Sequence, residues 1–192
     1  MERVDEILEF WFGKGSGAAA GEKLWFSADP AFDRLCSAQF LVDHERAAAG
    51  LLDHWQNDAR SCLALVLLLD QLPRNMFRNT SRAFASDKKA REAARCAVVR
   101  GYDRELPPVQ RVFFYLPFEH SEYLTDQRLS LRLQRVLAEE SPDCAGFVKY
   151  AEGHCATIEC FGRFPHRNAI LGRASTPQEL EFLARKDRAV SS

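Results

Sequence analysis

Two segments of this sequence carry the residue types that acid–base catalysis uses. Glu119, His120 and Glu122 follow one another closely, and His154 lies on the apolar stripe of a predicted helix. Histidine changes its charge near neutral pH, so His120 oriented by a carboxylate could serve as a general base. The candidate catalytic residues are His120, Glu119 and His154. The alternative is structural, because a buried neutral histidine is often hydrogen-bonded only to the backbone or to a carboxylate.

Two Arg-Asn pairs, Arg74-Asn75 and Arg167-Asn168, indicate a second kind of chemistry, the binding of an anion. Arginine can bind a carboxylate or phosphate through two parallel hydrogen bonds, and asparagine adds an adjustable partner. The candidate ligand-binding residues are Arg74, Asn75, Arg163, His166, Arg167 and Asn168. In the alternative interpretation each arginine pairs with a nearby acid such as Asp70 or Glu119, and each asparagine caps its own turn.

The same order of an apolar residue, a proline and a polar group occurs three times, at Leu72-Pro73, Leu116-Pro117 and Phe164-Pro165. Proline disfavours helical geometry in the residue before it and presets the backbone of a new helical turn. We therefore expect the polar residues to lie at helix N-termini, where unpaired N–H groups attract anions. Because the apolar helices must pack together, their polar ends should form one cluster. Its expected members are Arg74, Glu119, His120, Arg167 and Asn168, with His154 at the apolar edge.

The elements that position these residues are all predicted to be helices. Asp29-Pro30 is an N-cap followed by a proline, and the segment from Thr176 to Glu179 is a capping box. A strongly apolar helix spans about Asp58 to Gln71, and a long amphipathic helix spans about Phe118 to Glu140. No alternating apolar and polar run is long enough for a strand. The patterns predict an all-α protein with a single helical domain over residues 1–192.

Composition narrows the possible functions. The 192 residues carry 26 basic and 27 acidic side chains, a balance that is unlike the basic surface of a nucleic-acid-binding protein. The longest strongly apolar run, Cys62 to Leu69, is far shorter than the ~20 residues of a membrane helix. The charged N-terminal residues lack the apolar core of a signal peptide. We therefore expect a cytoplasmic protein that binds neither nucleic acid nor membranes. Gly13 to Gly21 is predicted to form a Gly/Ala-rich loop.

A metal site is a further interpretation of the same histidines. Glu119, His120 and Glu122 would need His154 or His166 to complete a ligand shell, and no H-E-x-x-H or similar spacing occurs. We therefore predict no metal ion and no other cofactor. The six cysteines occur singly, without a C-x-x-C pair, and are predicted to be reduced and mostly buried.

Several long motifs of the chain resemble those of a known family. They are Leu63 to Asn75, Arg82 to Asp87, Tyr115 to Glu122, and His154 followed by Phe161 to Arg173. The chain resembles domain-of-unknown-function family 924, an uncharacterised and mainly bacterial group, over essentially its whole length. The resemblance implies a TPR-like fold, in which antiparallel helix pairs pack into a curved array, and it provides no established catalytic residues.

Two functions fit these observations. The first is a helical protein with a polar pocket for a small anionic or zwitterionic ligand, in which the histidines are available for catalysis. The second is a TPR-like protein–protein interaction module whose Arg, Glu and His residues form a structural network, an interpretation that rests on fold analogy. A pocket protein should bury these residues in a cleft, whereas an interaction module should expose an apolar or charged concave face.

Overall fold

The computed structural model describes residues 2–13 and 25–190, with side chains described up to residue 185. Helices account for most of these residues, and none of them lies in a strand, which confirms the all-α class. The α-helices are α1 (Glu2–Phe12), α2 (Pro30–Ala48), α3 (Ala59–Leu69), α4 (Gln71–Met76), α5 (Asp87–Arg100), α6 (Pro108–Glu119), α7 (Leu124–Glu140), α8 (Ala145–Phe161) and α9 (Pro177–Val190). Short 3-10 helices include Ser81–Phe84 and Pro165–Arg167. The predicted Gly/Ala-rich loop, apart from Gly13, lies outside the described residues.

Two of the predicted helix starts are confirmed by their hydrogen bonds. The Asp29 side chain accepts from the N–H groups of Ala31 at 2.7 Å and Phe32 at 3.2 Å, at the start of α2. At the start of α9, Oε2 of Glu179 accepts from the Thr176 N–H at 2.7 Å, and the Thr176 hydroxyl accepts from the Glu179 N–H at 3.2 Å. This reciprocal pair is the predicted capping box.

Helix α3 is the centre of the core. Every residue from Cys62 to Leu69 is buried, and α3 packs against α1, α2, α5 and α6. A helix that is enclosed by neighbours needs no polar face, which explains its uniformly apolar sequence. The helix ends at Leu69, and Asp70 then leads directly into α4. The chain therefore places a charged residue, Asp70, at the end of its most buried helix.

The prediction that Leu116-Pro117 opens a new helix is wrong. Pro117 lies inside α6, which continues to Glu119, and α7 begins only at Leu124. Proline removes one backbone hydrogen bond from a helix, at a cost of ~3 kcal/mol or more in the helix interior. Here the residues from Val112 to Phe118 are all buried, and that burial outweighs the cost. Glu119 and His120 therefore lie at a helix C-terminus, where carbonyl groups rather than N–H groups are exposed. The expectation of an anion-attracting helix N-terminus does not hold for this segment.

Several further features bear on the sequence predictions. No helix in the described ranges is long and apolar enough to cross a membrane. All six cysteines are free; Cys36, Cys62, Cys144 and Cys155 are buried, and Cys160 is exposed. The TPR-like pairing of helices and the single domain remain predictions.

Candidate functional site

Asp70 is the centre of a buried polar cluster, and its side chain is fully enclosed. Its carboxylate accepts a hydrogen bond from Nδ1 of His120 at 2.8 Å and from Nε2 of Gln71 at 2.6 Å. Nη1 of Arg74 lies 3.2 Å from Oδ1. Burial by itself raises the pKa of Asp70, but the positive charge of Arg74 and the contact with His120 outweigh it and hold the pKa below its usual range. The carboxylate is therefore ionised inside the core.

His120 is held in one orientation by this carboxylate. Because Asp70 is ionised, Nδ1 of His120 donates to it, and Nε2 is left without the ring proton, as an acceptor. Burial and the charge of Arg74 lower the pKa of His120, and Asp70 opposes them only in part. The imidazole is consequently neutral near pH 7. A neutral histidine whose Nδ1–H is fixed by a carboxylate has the arrangement of a general base.

The chain positions this pair through the ends of three helices. Gln127 on α7 donates to the carbonyl oxygens of Glu119 at 2.5 Å and Ser121 at 2.6 Å, which satisfies the C-terminal end of α6 next to His120. The Ser86 hydroxyl donates to the Leu69 carbonyl at 2.6 Å. This bond fastens the start of α5 to the end of α3.

Because Ser86 is fixed in this way, Asp87 lies beside the cluster and extends it. Nη1 of Arg74 is 3.0 Å from Oδ1 of Asp87, so Arg74 lies between the carboxylates of Asp87 and Asp70. Arg74 also donates to the Asp70 carbonyl at 2.5 Å. Its charge is therefore compensated within the protein, although its Nη2 atom is buried without a hydrogen-bond partner.

Arg167 differs from Arg74 in its pairing. Its guanidinium lies between the rings of Phe84 and Phe164, at 4.6 and 4.5 Å from their centroids, and its side chain is only 8% exposed. Among the described residues, Asp87 is the one carboxylate within 4 Å of the guanidinium, at 3.6 Å, and the Nε atom is buried without a hydrogen-bond partner. Burial and the nearby charge of Arg74 lower the pKa of Arg167 to about 10. Arg167 is thus a buried cation without a full partner.

His120 and Arg167 face the same cleft, which has a volume of about 410 Å³. We call it the Arg167 cleft; its walls include Asp87, Arg91, His120, Glu122, Tyr123 and Arg167. Glu122 is already occupied, because its oxygens bind Arg173 at 2.7 and 2.9 Å and accept from the Phe164 N–H at 2.8 Å. Arg91 is paired as well, because its Nε atom lies 3.5 Å from Oδ2 of Asp126. Arg167 is therefore the less completely paired of these two cations.

A second and smaller space also contacts His120. We call it the Trp25 recess; its volume is about 200 Å³, and its walls include Trp25, Phe26, Gln71, Arg74, Asn75 and His120. Asn75 does not bind within the cluster around Asp70. It donates to Asp33 at 2.9 Å, and Asp33 also binds Arg78 through two hydrogen bonds.

The other predicted catalytic residues, Glu119 and His154, form a separate pair. Nδ1 of His154 lies 2.6 Å from Oε1 of buried Glu119, and His154 packs edge-on against Phe164. His154 lines a larger groove of about 870 Å³ between α8 and α9, whose surface is mostly apolar. We take the Arg167 cleft as the functional candidate despite its smaller size, because it combines an oriented base with an incompletely paired cation.

The remaining predicted ligand-binding residues lie in the segment that connects α8 to α9. Arg163 binds Glu179 at 2.6 and 2.8 Å, and Asn168 donates to the same carboxylate at 3.3 Å. These residues connect the 3-10 turn Pro165–Arg167 to the capping box of α9. His166 contacts the ring of Phe164, with centroids 5.5 Å apart. The structure thus brings Arg74, His120 and Arg167 together and places Arg163, Asn168, Glu119 and His154 in neighbouring networks.

Sequence reasoning missed the residues that complete the cluster. From the sequence, Asp70 is predicted only to pair with arginine, and the predicted site residues do not include Asp87, Phe84 or Phe164. One signal was available, since Asp70 is a single charge directly after a long apolar run. No three His, Cys, Asp or Glu side chains in the described residues are grouped so that they could hold a metal ion.

The chain is similar to a known protein family and to a solved structure. The family is described as a bacterial protein of unknown function, DUF924, and the match covers residues 7–187. The chain is also similar to a protein of unknown function, ATU0120, from Agrobacterium tumefaciens, with 41% sequence identity and a TM-score of 0.86. That similarity covers 95% of this chain and 97% of the other. No curated protein matches the chain.

Proposed function

This chain belongs to the DUF924 family of bacterial proteins of unknown function, and from the geometry of its buried cluster we propose that it binds a small anionic or zwitterionic molecule in the Arg167 cleft. His120 is placed to accept a proton from that molecule or from a water molecule beside it. The observation that carries the proposal is the incomplete pairing of the Arg167 guanidinium.

The proposal follows from what a buried arginine requires. A guanidinium in a protein interior is normally compensated by hydrogen bonds to a carboxylate, because burying an unpaired charge is costly. Arg163 and Arg173 each have two such bonds, to Glu179 and Glu122. Arg167 instead packs between two aromatic rings and lines the cleft, and its nearest described carboxylate, Asp87, is 3.6 Å away, beyond hydrogen-bonding distance. A carboxylate or phosphate in the cleft could accept two bonds from the guanidinium.

The composition of the cleft favours a small ligand. A volume of about 410 Å³ lies within the range of small-molecule sites, roughly 300–1,000 Å³. Asp87 also lines the cleft, so a zwitterion could place its positive group there, in competition with Arg74 and Arg167. The low exposure of Arg167 and His120 supports a pocket rather than the alternative of a protein-interaction module, whose recognition residues would be more accessible.

The test uses inorganic phosphate as the probe and an Arg167→Gln variant, with binding followed by nuclear magnetic resonance of the ¹⁵N-labelled protein. Glutamine keeps a flat polar group between Phe84 and Phe164 but removes the charge. We expect phosphate to shift the resonances of residues near His120 and Arg167 in a saturable way, and we expect Arg167→Gln to abolish the effect. Arg128→Gln is the matched control, since Arg128 is exposed and pairs with Glu159 on the surface.

A variant that binds phosphate as tightly as the wild type would disprove the proposal, as would shifts confined to other parts of the protein. The natural ligand can be sought in parallel. The wild-type protein and Arg167→Gln would each be incubated with a bacterial metabolite extract and re-isolated, and the co-purifying molecules would be identified by mass spectrometry. A true ligand should be enriched on the wild type and absent from the variant.

A further inference from the structure

We infer that the ligand is an oxyanion that still carries a proton, such as phosphate, and that Asp87 selects it by accepting a hydrogen bond from that proton. This inference rests on the proposed function and specifies the ligand class of the same site. It begins from the position of the Asp87 carboxylate, which lines the Arg167 cleft beside the guanidinium that would bind the anion.

The two oxygens of Asp87 differ in their surroundings. Oδ1 is enclosed and lies 3.0 Å from Nη1 of Arg74. Oδ2 lies on the side of Arg167, 3.6 Å from its Nη1 atom, and the Asp87 side chain is 13% exposed. Oδ2 is therefore the oxygen that can accept a hydrogen bond from a molecule in the cleft, next to the Arg167 nitrogen that can donate one.

Asp87 is held in place beside any ligand that binds Arg167. The preceding residue, Ser86, is fastened to the Leu69 carbonyl by its hydroxyl group at 2.6 Å, and Arg74 pairs with Oδ1. A ligand oxygen that binds Arg167 would consequently lie close to Oδ2. A fully ionised oxygen would be repelled there by the like charge, whereas a hydroxyl group would donate a strong hydrogen bond to the carboxylate.

The neighbouring arginines favour a neutral donor over a positive one. Asp87 faces both Arg74 and Arg167, so its charge is already compensated, and an ammonium group beside it would be repelled by two guanidinium groups. A hydroxyl group is a donor without a charge. A protonated oxyanion carries that hydroxyl and its charged oxygens on one central atom, which suits an acceptor and a donor that are only 3.6 Å apart.

His120 provides a second acceptor in the same cleft, because its Nε2 atom carries no proton while Nδ1 donates to Asp70. Arg167, Asp87 and His120 thus offer one cationic donor and two acceptors. Dihydrogen phosphate, with two charge-sharing oxygens and two hydroxyl groups, can bond to all three. The cleft volume of about 410 Å³ also leaves room for the organic part of a phosphate monoester.

The experiment compares phosphate with sulfate, two tetrahedral oxyanions of which only phosphate retains a proton near neutral pH. Affinities are measured by nuclear magnetic resonance titration at constant ionic strength. We expect the wild type to bind phosphate at least about tenfold more tightly than sulfate, since a hydrogen bond to a charged group replaces a repulsion. Asp87→Asn should reduce this preference about tenfold or more, because an amide can also donate to sulfate.

Glu92→Gln is the matched control. It removes one negative charge from the same helix, α5, but Glu92 is 63% exposed and does not line the cleft. The preference for phosphate should remain within about twofold of the wild type in this variant, because exposed charges are screened by solvent. An equal loss of preference in Glu92→Gln and Asp87→Asn would overturn the role of Asp87, since any carboxylate of the helix would then have the same effect.

Methyl phosphate separates the two sources of this chemistry, free phosphate and a phosphate monoester. A monoester loses its second proton with a pKa of ~6, so its protonated form is more abundant at pH 6 than at pH 8. Tight binding of methyl phosphate that weakens at pH 8 relative to sulfate would support the inference with a monoester as the ligand. Binding of phosphate alone would support it with free phosphate. Methyl phosphate that binds more tightly at pH 8 would overturn it.

Each outcome separates this inference from the proposed function. If sulfate binds the wild type within about twofold of phosphate, this inference is overturned, while the proposed function stands as long as Arg167→Gln abolishes the binding of both anions. That comparison needs no variant of Asp87, so it decides the matter even if Asp87→Asn does not fold. An undiminished preference in folded Asp87→Asn would also overturn the inference. If neither anion binds the wild type, the proposed function fails and this inference fails with it.

Discussion

Nδ1 of His154 lies 2.6 Å from Oε1 of Glu119, so the adjacent residues 119 and 120 belong to two different histidine–carboxylate pairs. His120 bonds to Asp70 and lines the Arg167 cleft, whereas His154 lines the groove between α8 and α9. The two histidines therefore serve different spaces, although the sequence suggested one common cluster.

The separation of the two pairs predicts a difference between histidine variants. His154→Ala should leave phosphate binding in the Arg167 cleft within about twofold of the wild type, because it removes no group that lines the cleft. His120→Ala should change the resonances of the bound state and abolish any proton transfer to the ligand. Titration of both variants with inorganic phosphate checks the prediction. An equal loss of phosphate affinity in the two variants would indicate that the two histidine–carboxylate pairs form one functional unit.

Loss of Arg167 and loss of Arg74 should have different effects on stability. Arg167→Ala removes two cation–π contacts and the 3.6 Å ion pair with Asp87 but no hydrogen bond, so we expect a cost of about 1–2 kcal/mol in the free energy of unfolding. Arg74→Ala leaves the buried charge of Asp70 without its cation and should cost roughly 3–5 kcal/mol. Urea denaturation of both variants measures the difference. A cost for Arg167→Ala as large as that for Arg74→Ala would favour a structural role for Arg167.

Stability should fall in mildly acidic solution because two histidines are held neutral. Burial lowers the pKa of His44, whose Nδ1–H donates to the Leu68 carbonyl at 2.8 Å, and burial and Arg74 lower that of His120. In the unfolded chain a histidine has a pKa of ~6.5, so the unfolded state takes up protons first as the pH falls. The free energy of unfolding is therefore highest above pH ~6.5 and decreases as the pH falls below it. Each histidine lowers it by at most about 1.4 kcal/mol per pH unit.

Urea denaturation at pH 7.5 and 5.5 measures this loss. A His44→Gln variant should show a smaller decrease than the wild type, since glutamine does not titrate. The depressed pKa of Asp70 acts in a lower range, below its unfolded value of ~3.9, and does not confound the comparison. An equal slope in the variant and the wild type would mean that folding does not lower the pKa of His44.

The cysteines should differ widely in reactivity. Cys160 is exposed and should react first with a thiol reagent in the native protein. Burial raises the pKa of Cys36 and Cys62 to about 12, so both should remain thiols and react only after unfolding. Native protein should give one or two fast groups, and denatured protein without reductant should give six. Fewer than six would reveal a disulfide bond that forms in solution.

The sequence predicts a helix start well when the capping side chain and the backbone group that it bonds are close together in the chain. The Asp29 cap and the Thr176–Glu179 box depend on side chains that bond within three residues, so the sequence suffices to locate them. Pro117 was misread because the burial of its surroundings outweighs the loss of one hydrogen bond. That balance depends on packing with distant helices, which the local sequence does not contain.

The sequence predicts which kinds of residue form the candidate site, but it does not predict which side chains contact each other. His120 and the arginines attract notice because polar groups are rare beside strongly apolar helices. Their partners, Asp87 and Phe164, come from segments that only the folded chain brings near Asp70. The expected cluster is divided into separate networks because of the place in the fold at which the turn Pro165–Arg167 packs. The spacing of residues in the sequence does not predict that place.

Phe164 is in contact with both histidine environments, since one histidine ring packs edge-on against it and the Arg167 guanidinium lies over it. A substitution at this position would therefore alter the two spaces in a single mutational step. Sequence change beside His154 in the groove between α8 and α9 is therefore constrained by the arginine that contacts the same ring, even though the two spaces share no histidine. Among members of the family, changes at the position of Phe164 should accordingly be accompanied by changes at both His154 and Arg167.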